Sequence, residues 1–155
     1  MKFRFLFLGR TREKYLAEGI KDFLGRIRAY VPAEQVVLKA VKATDSLADA
    51  VRAEDTRRLL EAIKPTDTFV HLDPGGKEMT SERLAGWLQG RTNQGDKAIV
   101  FGLGGPLGLT DDAAKRADLR LCLSKLTLTH EMSRLLLLEQ IYRCLRMNAG
   151  HPYHK

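Results

Sequence analysis

The sequence predicts an α/β fold in which a mostly parallel sheet is flanked by helices, and three observations favour it. Short apolar runs alternate along the chain with longer segments whose apolar residues recur at helical spacing. Two of the apolar runs, residues 2–8 and 98–101, show little polar alternation, which is typical of strands buried on both faces. The 155 residues, 44% of them hydrophobic, are enough to bury a substantial core. We therefore expect a single domain over residues 1–155.

The first half of the chain is predicted to contain two strands, each followed by a helix, at residues 2–8, 11–29, 35–39 and 45–63. Thr11 is placed to cap the first helix, and either Asp45 or Ser46 is placed to cap the second. Pro32 and Pro65 end these helices because proline disfavours the helical conformation of the residue before it.

The second half continues the alternation, with strands predicted at residues 68–72, 98–101 and 120–123. A turn is expected at 73–77, and helices are expected at 80–88, from Thr110 onward, and at 130–147. Two acidic residues follow Thr110, a pattern that suits a hydroxyl cap and the helix dipole. The last helix is apolar over a very wide arc, so we expect it to lie under the sheet or to form a subunit interface.

Charge and cysteine content restrict the class of protein. The net charge is +7, and the first 30 and the last 43 residues each contribute +5. If the fold brings the two ends together, they form a basic face that suits RNA, although a merely solvated surface explains the same composition. The two cysteines, Cys122 and Cys144, form no disulfide framework and no zinc pattern, so no metal is expected. Without an apolar span of 18 residues no membrane crossing is expected, and the N-terminal run is interpreted as a strand instead of a signal peptide.

The glycine-rich loop at residues 102–108 follows the most apolar strand. It does not fit a dinucleotide fingerprint, because Leu107 occupies the third glycine position, and it lacks the Gly-Lys-Ser/Thr of a P-loop. The glycines favour either a tight turn or a close approach of the backbone to a ligand. Loops leaving the strands after Leu72, Phe101 and Leu123 should meet beyond the carboxyl ends of a parallel sheet, where ligands bind. Backbone amides and apolar side chains, with few charges, suit an adenosine-type cofactor there.

Two imidazoles and a phenol crowd into the C-terminal tail at His151, Tyr153 and His154. This composition is either accidental or provides hydrogen-bonding and proton-accepting groups over a pocket. The pair His151 and His154 has no neighbouring carboxylate or thiol, which argues against a metal site.

At these segments the sequence resembles a known family. The stretches 103–109, 123–130, 139–143 and 151–155, together with Arg134, are similar to the SPOUT-class methyltransferases that methylate N3 of a pseudouridine in bacterial large-subunit rRNA. The resemblance covers the whole chain. One departure is Thr129, where relatives often carry proline before His130.

The resemblance implies a SPOUT fold with a deep trefoil knot in the C-terminal part, a homodimer, and a stem-loop of large-subunit rRNA within the assembled ribosome as substrate, hence a cytoplasmic location. It implies S-adenosylmethionine as cofactor, with contacts that map to Leu72, Gly104, Leu123, Ser124, Lys125, Leu126, Thr127 and Leu128.

The imide nitrogen N3 must lose a proton at or before methyl transfer, which requires a base or stabilisation of the developing anion. We assign the base to His154, the positioning of the nucleobase to Tyr153, and stabilisation of charge on the uracil carbonyls to Arg143. The expected RNA face consists of the basic residues near both ends, which are Arg10, Arg12, Lys14, Lys21, Arg120, Arg134, Arg143 and Arg146.

Two alternatives remain at the level of sequence. One is a SPOUT methyltransferase that acts on another RNA such as tRNA, which the lack of an appended RNA-binding domain disfavours. The other is a non-catalytic ribosome-binding factor that uses only the basic face, which the glycine loop and the tail disfavour.

Overall fold

The structure is a computed structural model that describes residues 1–42 and 47–152. Its strands are β1 (Lys2–Leu8), β2 (Ala33–Leu38), β3 (Thr68–Glu78), β4 (Ala98–Leu103) and β5 (Leu119–Cys122). Its helices are α1 (Lys14–Arg28), α2 (Ala48–Glu61), α3 (Ser81–Asn93), α4 (Asp111–Arg116) and α5 (His130–Asn148).

The five strands form one parallel sheet in the order β2-β1-β4-β3-β5. Helices α1, α3 and α5 pack on one face, and α2 and α4 pack on the other. The predicted α/β class is therefore confirmed, whereas the trefoil knot stays a prediction. None of the helices in the described ranges is long and apolar enough to cross a bilayer.

Burial on both faces explains why the central strands lack polar alternation. Every residue of β4 is buried, and Phe101 stacks on Phe5 of β1 with ring centroids 5.1 Å apart. Phe3 meets the same ring edge-on at 5.6 Å. Burial of each such ring stabilises the fold by about 2–3 kcal/mol, so the β1–β4 pair forms the centre of the core.

Helix α5 lies against the sheet between α1 and α3. The sheet, α1 and α3 all cover this helix, which explains its wide apolar arc. Leu137, Leu138 and Ile141 are fully buried. The prediction that this helix lies under the sheet is confirmed. Cys144 on α5 and Cys122 on β5 are both buried free thiols.

The predicted cap of α1 at Thr11 is wrong. The helix begins at Lys14, and Glu13 at its N-cap makes no side-chain capping bond. Instead, Glu131 of α5 accepts hydrogen bonds from the backbone N–H groups of Arg12 and Glu13. A carboxylate distant in sequence therefore satisfies the N–H groups at the start of α1, which is a tertiary contact that local pattern does not reveal.

Two other predictions of local structure differ from the structure. The turn expected at 73–77 is a bulge within β3, because Leu72 and Lys77 both pair with Leu121 of β5. Thr110 makes no side-chain cap of α4, and its own backbone N–H donates to Thr56 Oγ1 at 2.9 Å.

The predicted caps of α2, Asp45 and Ser46, lie outside the described residues. The N-cap position of α2 is Leu47, which makes no side-chain capping bond.

Candidate functional site

A cavity of about 890 Å³ opens where the carboxyl ends of β3, β4 and β5 meet. The eight residues that the sequence assigned to a cofactor all line it, and they are Leu72, Gly104, Leu123, Ser124, Lys125, Leu126, Thr127 and Leu128. The structure therefore brings together three segments that are far apart in sequence. Strand order decides this, because β4, β3 and β5 are adjacent in the sheet.

The β3 wall of the cavity is held by an ion pair across the bulge. The carboxylate of Asp73 accepts hydrogen bonds from Arg120 Nε at 2.9 Å and Nη2 at 2.7 Å, and from the Gly75 N–H at 2.9 Å. Partial burial alone would raise the pKa of Asp73, but the Gly75 N–H and the Arg120 guanidinium together lower it below its usual range. Asp73 is therefore ionised at neutral pH and fixes β3 against β5.

The β4 wall is the glycine-rich loop. Gly108 has a φ of +74° and donates its N–H to Gly105 O at 3.0 Å, which closes a turn. A Cβ on Gly104 would lie 3.0 Å from Leu109 Cγ and 3.1 Å from Gly108, so the loop folds back on itself too closely for a side chain. The tight-turn interpretation of these glycines is confirmed, and the turn leaves loop backbone along the cavity.

The β5 wall is the loop that leads into α5. Ser124 Oγ accepts from the Leu126 N–H at 3.0 Å, which tightens the loop and leaves the Leu126 side chain 78% exposed. Thr129 Oγ1 accepts from the Met132 N–H at 3.1 Å and so caps α5. The Thr129 hydroxyl therefore anchors the end of the loop.

Two histidines that the sequence argument did not assign also line the cavity. His71 is 7% exposed; its Nδ1 is buried without a hydrogen-bond partner, and its Nε2 lies 3.8 Å from Asp73 Oδ2. Burial lowers the pKa of His71, and Arg120 lowers it further against the opposing effect of Asp73. Burial also lowers the pKa of the half-buried His130. Adjacency to the assigned Leu72 was a sequence signal for both His71 and Asp73, and Asp73 also lies in the stretch 72–77 that shares the family resemblance.

The cavity carries more charge than the expected lining of amides and apolar groups. Its charged side chains pair across the β3–β5 boundary, since Lys125 Nζ also lies 3.7 Å from Glu78 Oε2. Within residues 1–42 and 47–152 no group of three or more His, Cys, Asp or Glu side chains is arranged to hold a metal.

The prediction that Arg134 belongs to the RNA face is wrong. Arg134 is fully buried, donates to Leu8 O, Gly9 O and Thr11 Oγ1 at 2.7–3.0 Å, and lies over the Phe7 ring. It holds the end of β1 in place and does not reach solvent. The expected RNA-face residues of the N-terminal segment are exposed, and these are Arg10, Arg12, Lys14 and Lys21.

The acceptor-side residues are only partly described. Arg143 Nη2 donates to Glu139 Oε1 at 2.5 Å within α5. Arg143 lies about 20 Å along this helix from His130. Tyr153 and His154 lie outside the described residues.

Fold and cavity define an α/β protein of the class that binds an organic cofactor in loops following parallel strands. A family model described as "Predicted SPOUT methyltransferase" matches residues 1–154. The chain belongs to the SPOUT methyltransferase family, and this family implies a methyl donor of the S-adenosylmethionine type.

Curated relatives match over almost the whole chain. A protein of Geobacter sp. strain M21 is 40% identical over 154 residues, covering 99% of both chains. One of Desulfotalea psychrophila is 40% identical over 156 residues, covering 100% of both. Both are named "Ribosomal RNA large subunit methyltransferase H".

A solved structure of a probable methylase family protein from Haemophilus influenzae Rd KW20 has a TM-score of 0.59 at 10% identity. It covers 99% of this chain and 70% of the other, and it supports the fold alone.

Proposed function

We propose that this chain transfers a methyl group from S-adenosylmethionine to N3 of a pseudouridine in a stem-loop of large-subunit rRNA, within assembled ribosomes in the cytoplasm. One observation carries the proposal. A single cavity gathers all eight residues expected to hold the cofactor, in a chain of the SPOUT methyltransferase family. The RNA target is supported by the 40% identity to relatives named for large-subunit rRNA methylation.

The cavity suits this cofactor in volume and in donor set. When S-adenosylmethionine is bound, the loop backbone at Gly104 and the loop 123–128 would hold it, and Leu72 and Leu123 would contact its apolar parts. S-adenosylmethionine supplies an activated sulfonium methyl group when it is bound.

The chain itself must supply the chemistry on the acceptor side. His154 accepts the N3 proton, Tyr153 holds the nucleobase in line with the methyl group, and Arg143 stabilises negative charge on the uracil carbonyls. The ion pair between Arg143 and Glu139 fixes the direction of the guanidinium.

The length of α5 supports a tail that acts on a second chain. Helix α5 has 19 residues, so about 27 Å separate His130 at the cavity from Asn148. His151 and Pro152 are held at that far end, and His154 lies two residues later, within about 7 Å of chain. This reach is shorter than the distance back to the cavity along α5, which supports a site completed by a partner chain. We propose a homodimer in which each tail completes the site of its partner.

The decisive experiment offers intact ribosomes, free large-subunit rRNA and tRNA to the purified protein with labelled S-adenosylmethionine. We expect labelled N3-methylpseudouridine from ribosomes and little label in free rRNA or tRNA. Preferential labelling of tRNA would favour the alternative target. Ribosome binding without any transfer, and without thermal stabilisation by the cofactor, would favour a non-catalytic binding factor.

Two variants separate the roles of cavity and tail. His154→Ala should reduce the rate of methyl transfer by at least about 100-fold while the Kd for S-adenosylmethionine stays the same. Leu72→Arg should abolish cofactor binding. If the tail acts on the partner, mixing these two inactive variants restores about a quarter of wild-type activity, because half of the dimers then hold one intact site. No restoration after subunit exchange would contradict the arrangement.

The exposed basic residues of the N-terminal segment are proposed to contact RNA phosphates. Binding to ribosomes should then weaken steeply between 50 and 200 mM salt, whereas salt-independent binding would contradict this role.

A further inference from the structure

The end of α5 is held by contacts that the proposed chemistry does not use. Gly150, with a φ of +73°, reverses the chain direction, and its N–H donates to Met147 O at 3.0 Å. A hydrogen bond of 3.0 Å then joins Tyr30 Oη and His151 Nδ1, and the two rings lie 6.0 Å apart. One residue later, Arg146 Nη2 donates to Pro152 O at 2.6 Å. Two consecutive tail residues are therefore fixed just before the last three residues of the chain.

Tyr30 itself is held rigidly at the junction of α1 and α5. Its backbone N–H donates to Ile27 O at 2.9 Å, and its ring packs edge-on against Tyr142 of α5 at 6.1 Å. The Tyr142 ring also packs against Phe23 and beneath the Arg26 guanidinium. The tyrosine hydroxyl thus has a fixed place from which to orient His151.

We propose that Tyr30 is a positioning residue for methyl transfer, because its bond to His151 fixes the start of the C-terminal tail whose last residues carry the proposed base. This inference rests on the proposed function. A tail that must deliver a base to another chain loses conformational entropy when it docks, and fixing its first two residues beforehand reduces that loss. Arg146 contributes to the same fixation through Pro152.

The location of Tyr30 makes its role testable apart from the cavity. Tyr30 lies three residues before β2, whose first residue pairs with Phe3 at the amino end of β1. The cavity lies at the opposite, carboxyl edge of the sheet, about 20 Å away along the strands. Removal of the Tyr30 hydroxyl therefore leaves the cofactor contacts of the same chain unchanged.

The test is Tyr30→Phe, which retains the ring packing and removes only the hydroxyl. With intact ribosomes as substrate, we expect kcat to fall about three- to tenfold, as loss of one hydrogen bond predicts. The Kd for S-adenosylmethionine, measured by calorimetry, and the melting temperature should match those of the wild type. Tyr15→Phe is the matched control, since Tyr15 is an exposed tyrosine of α1, the helix that ends just before Tyr30. A Tyr30→Phe variant with wild-type kcat would overturn the proposal.

A double-mutant cycle shows whether Tyr30 acts through His151. His151→Ala should lose as much activity as Tyr30→Phe, and the double variant should lose no more than either single variant. With Tyr30 intact, His151→Asn should be more active than His151→Ala, because the asparagine side chain places a polar atom near the position of Nδ1. Additive losses would show that Tyr30 acts elsewhere and would overturn the proposal.

Two results distinguish failure of the proposed function from failure of the role of Tyr30. Wild-type protein that transfers no methyl group to ribosomes rejects the proposed function, whereas an active wild type with an equally active Tyr30→Phe variant rejects the role of Tyr30 alone.

Discussion

Gly76 lies where the bulge of β3 passes the backbone of β5, and replacing it with alanine should separate the two strands. A Cβ at this position would lie 2.7 Å from the carbonyl carbon of Arg120, 2.8 Å from its oxygen and 2.9 Å from the nitrogen of Leu121. Ordinary contact begins at 3.4 Å, so the strands must move apart by about 0.5–0.7 Å. The obstructing atoms are backbone, and no side-chain rotation relieves the contact.

The loss of stability in Gly76→Ala depends on how easily one of the two strands can move. β5 is an edge strand, so it can shift outward without disturbing a neighbour on its far side. This places Gly76→Ala within the usual range for overpacking, about 1–3 kcal/mol in the free energy of unfolding. For a chain of this length the melting temperature should fall by about 2–10 °C. Because Leu121 leads into the cofactor loop, the affinity for S-adenosylmethionine should also fall several-fold.

Gly75→Ala is the matched control for this measurement. Its Cβ would lie 3.5 Å from Arg120 Nη2 and from Asp73 Oδ1, which is ordinary contact. We expect urea unfolding of Gly75→Ala within about 0.5 kcal/mol of the wild type. If Gly76→Ala is equally stable, or if both variants lose the same amount, the close approach of the two strands does not restrict this site and the reasoning is refuted.

Three further predictions concern buried groups. Arg134→Met should lower the free energy of unfolding by about 2–4 kcal/mol in urea titrations, because three acceptors lose their donor. The control Arg28→Met, at an exposed position, should cost far less, and equal costs would contradict the prediction. Since burial lowers the pKa of His71 below its ordinary value of 6.5, the unfolded chain takes up that proton at a higher pH than the folded chain does. The free energy of unfolding should therefore fall as the pH drops below 6.5, and His71→Leu should show a shallower fall between pH 7 and pH 5. An unchanged slope would argue against it. Cys122 and Cys144 are buried, and burial raises the pKa of Cys144 to about 12, so a thiol reagent at pH 8 should label neither cysteine rapidly until the chain is unfolded.

The sequence predicted the site well where local composition carries the signal. Apolar runs without alternation marked β1 and β4 as buried strands, and glycines marked a turn after β4. The rule that ligands bind beyond the carboxyl ends of parallel strands then joined Leu72, Gly104 and the 123–128 loop, which line one cavity. His71 was missed because nothing local distinguishes it from other polar residues at a strand end.

Arginine is the residue type for which sequence reasoning was least reliable. Arg134, expected on the RNA face, is fully buried, whereas Arg120, expected there too, pairs with Asp73 and keeps its side chain 46% exposed. A positive charge in a sequence says nothing of its surroundings. Whether a guanidinium meets solvent, a carboxylate or backbone carbonyls depends on elements that lie more than a hundred residues away along the chain.

By itself the sequence determined the α/β class, the approximate positions of the strands and helices, the burial of α5 and the family resemblance. These follow from periodicity, turn-forming residues and specific motifs, which are properties of neighbouring positions. Only the tertiary structure decided the order of the strands, the cap that Glu131 provides for α1, and the placement of Tyr30 against His151. Each of these depends on which surfaces meet when the chain is compact, and a hydrogen bond between residues 121 positions apart leaves no periodic trace in the sequence.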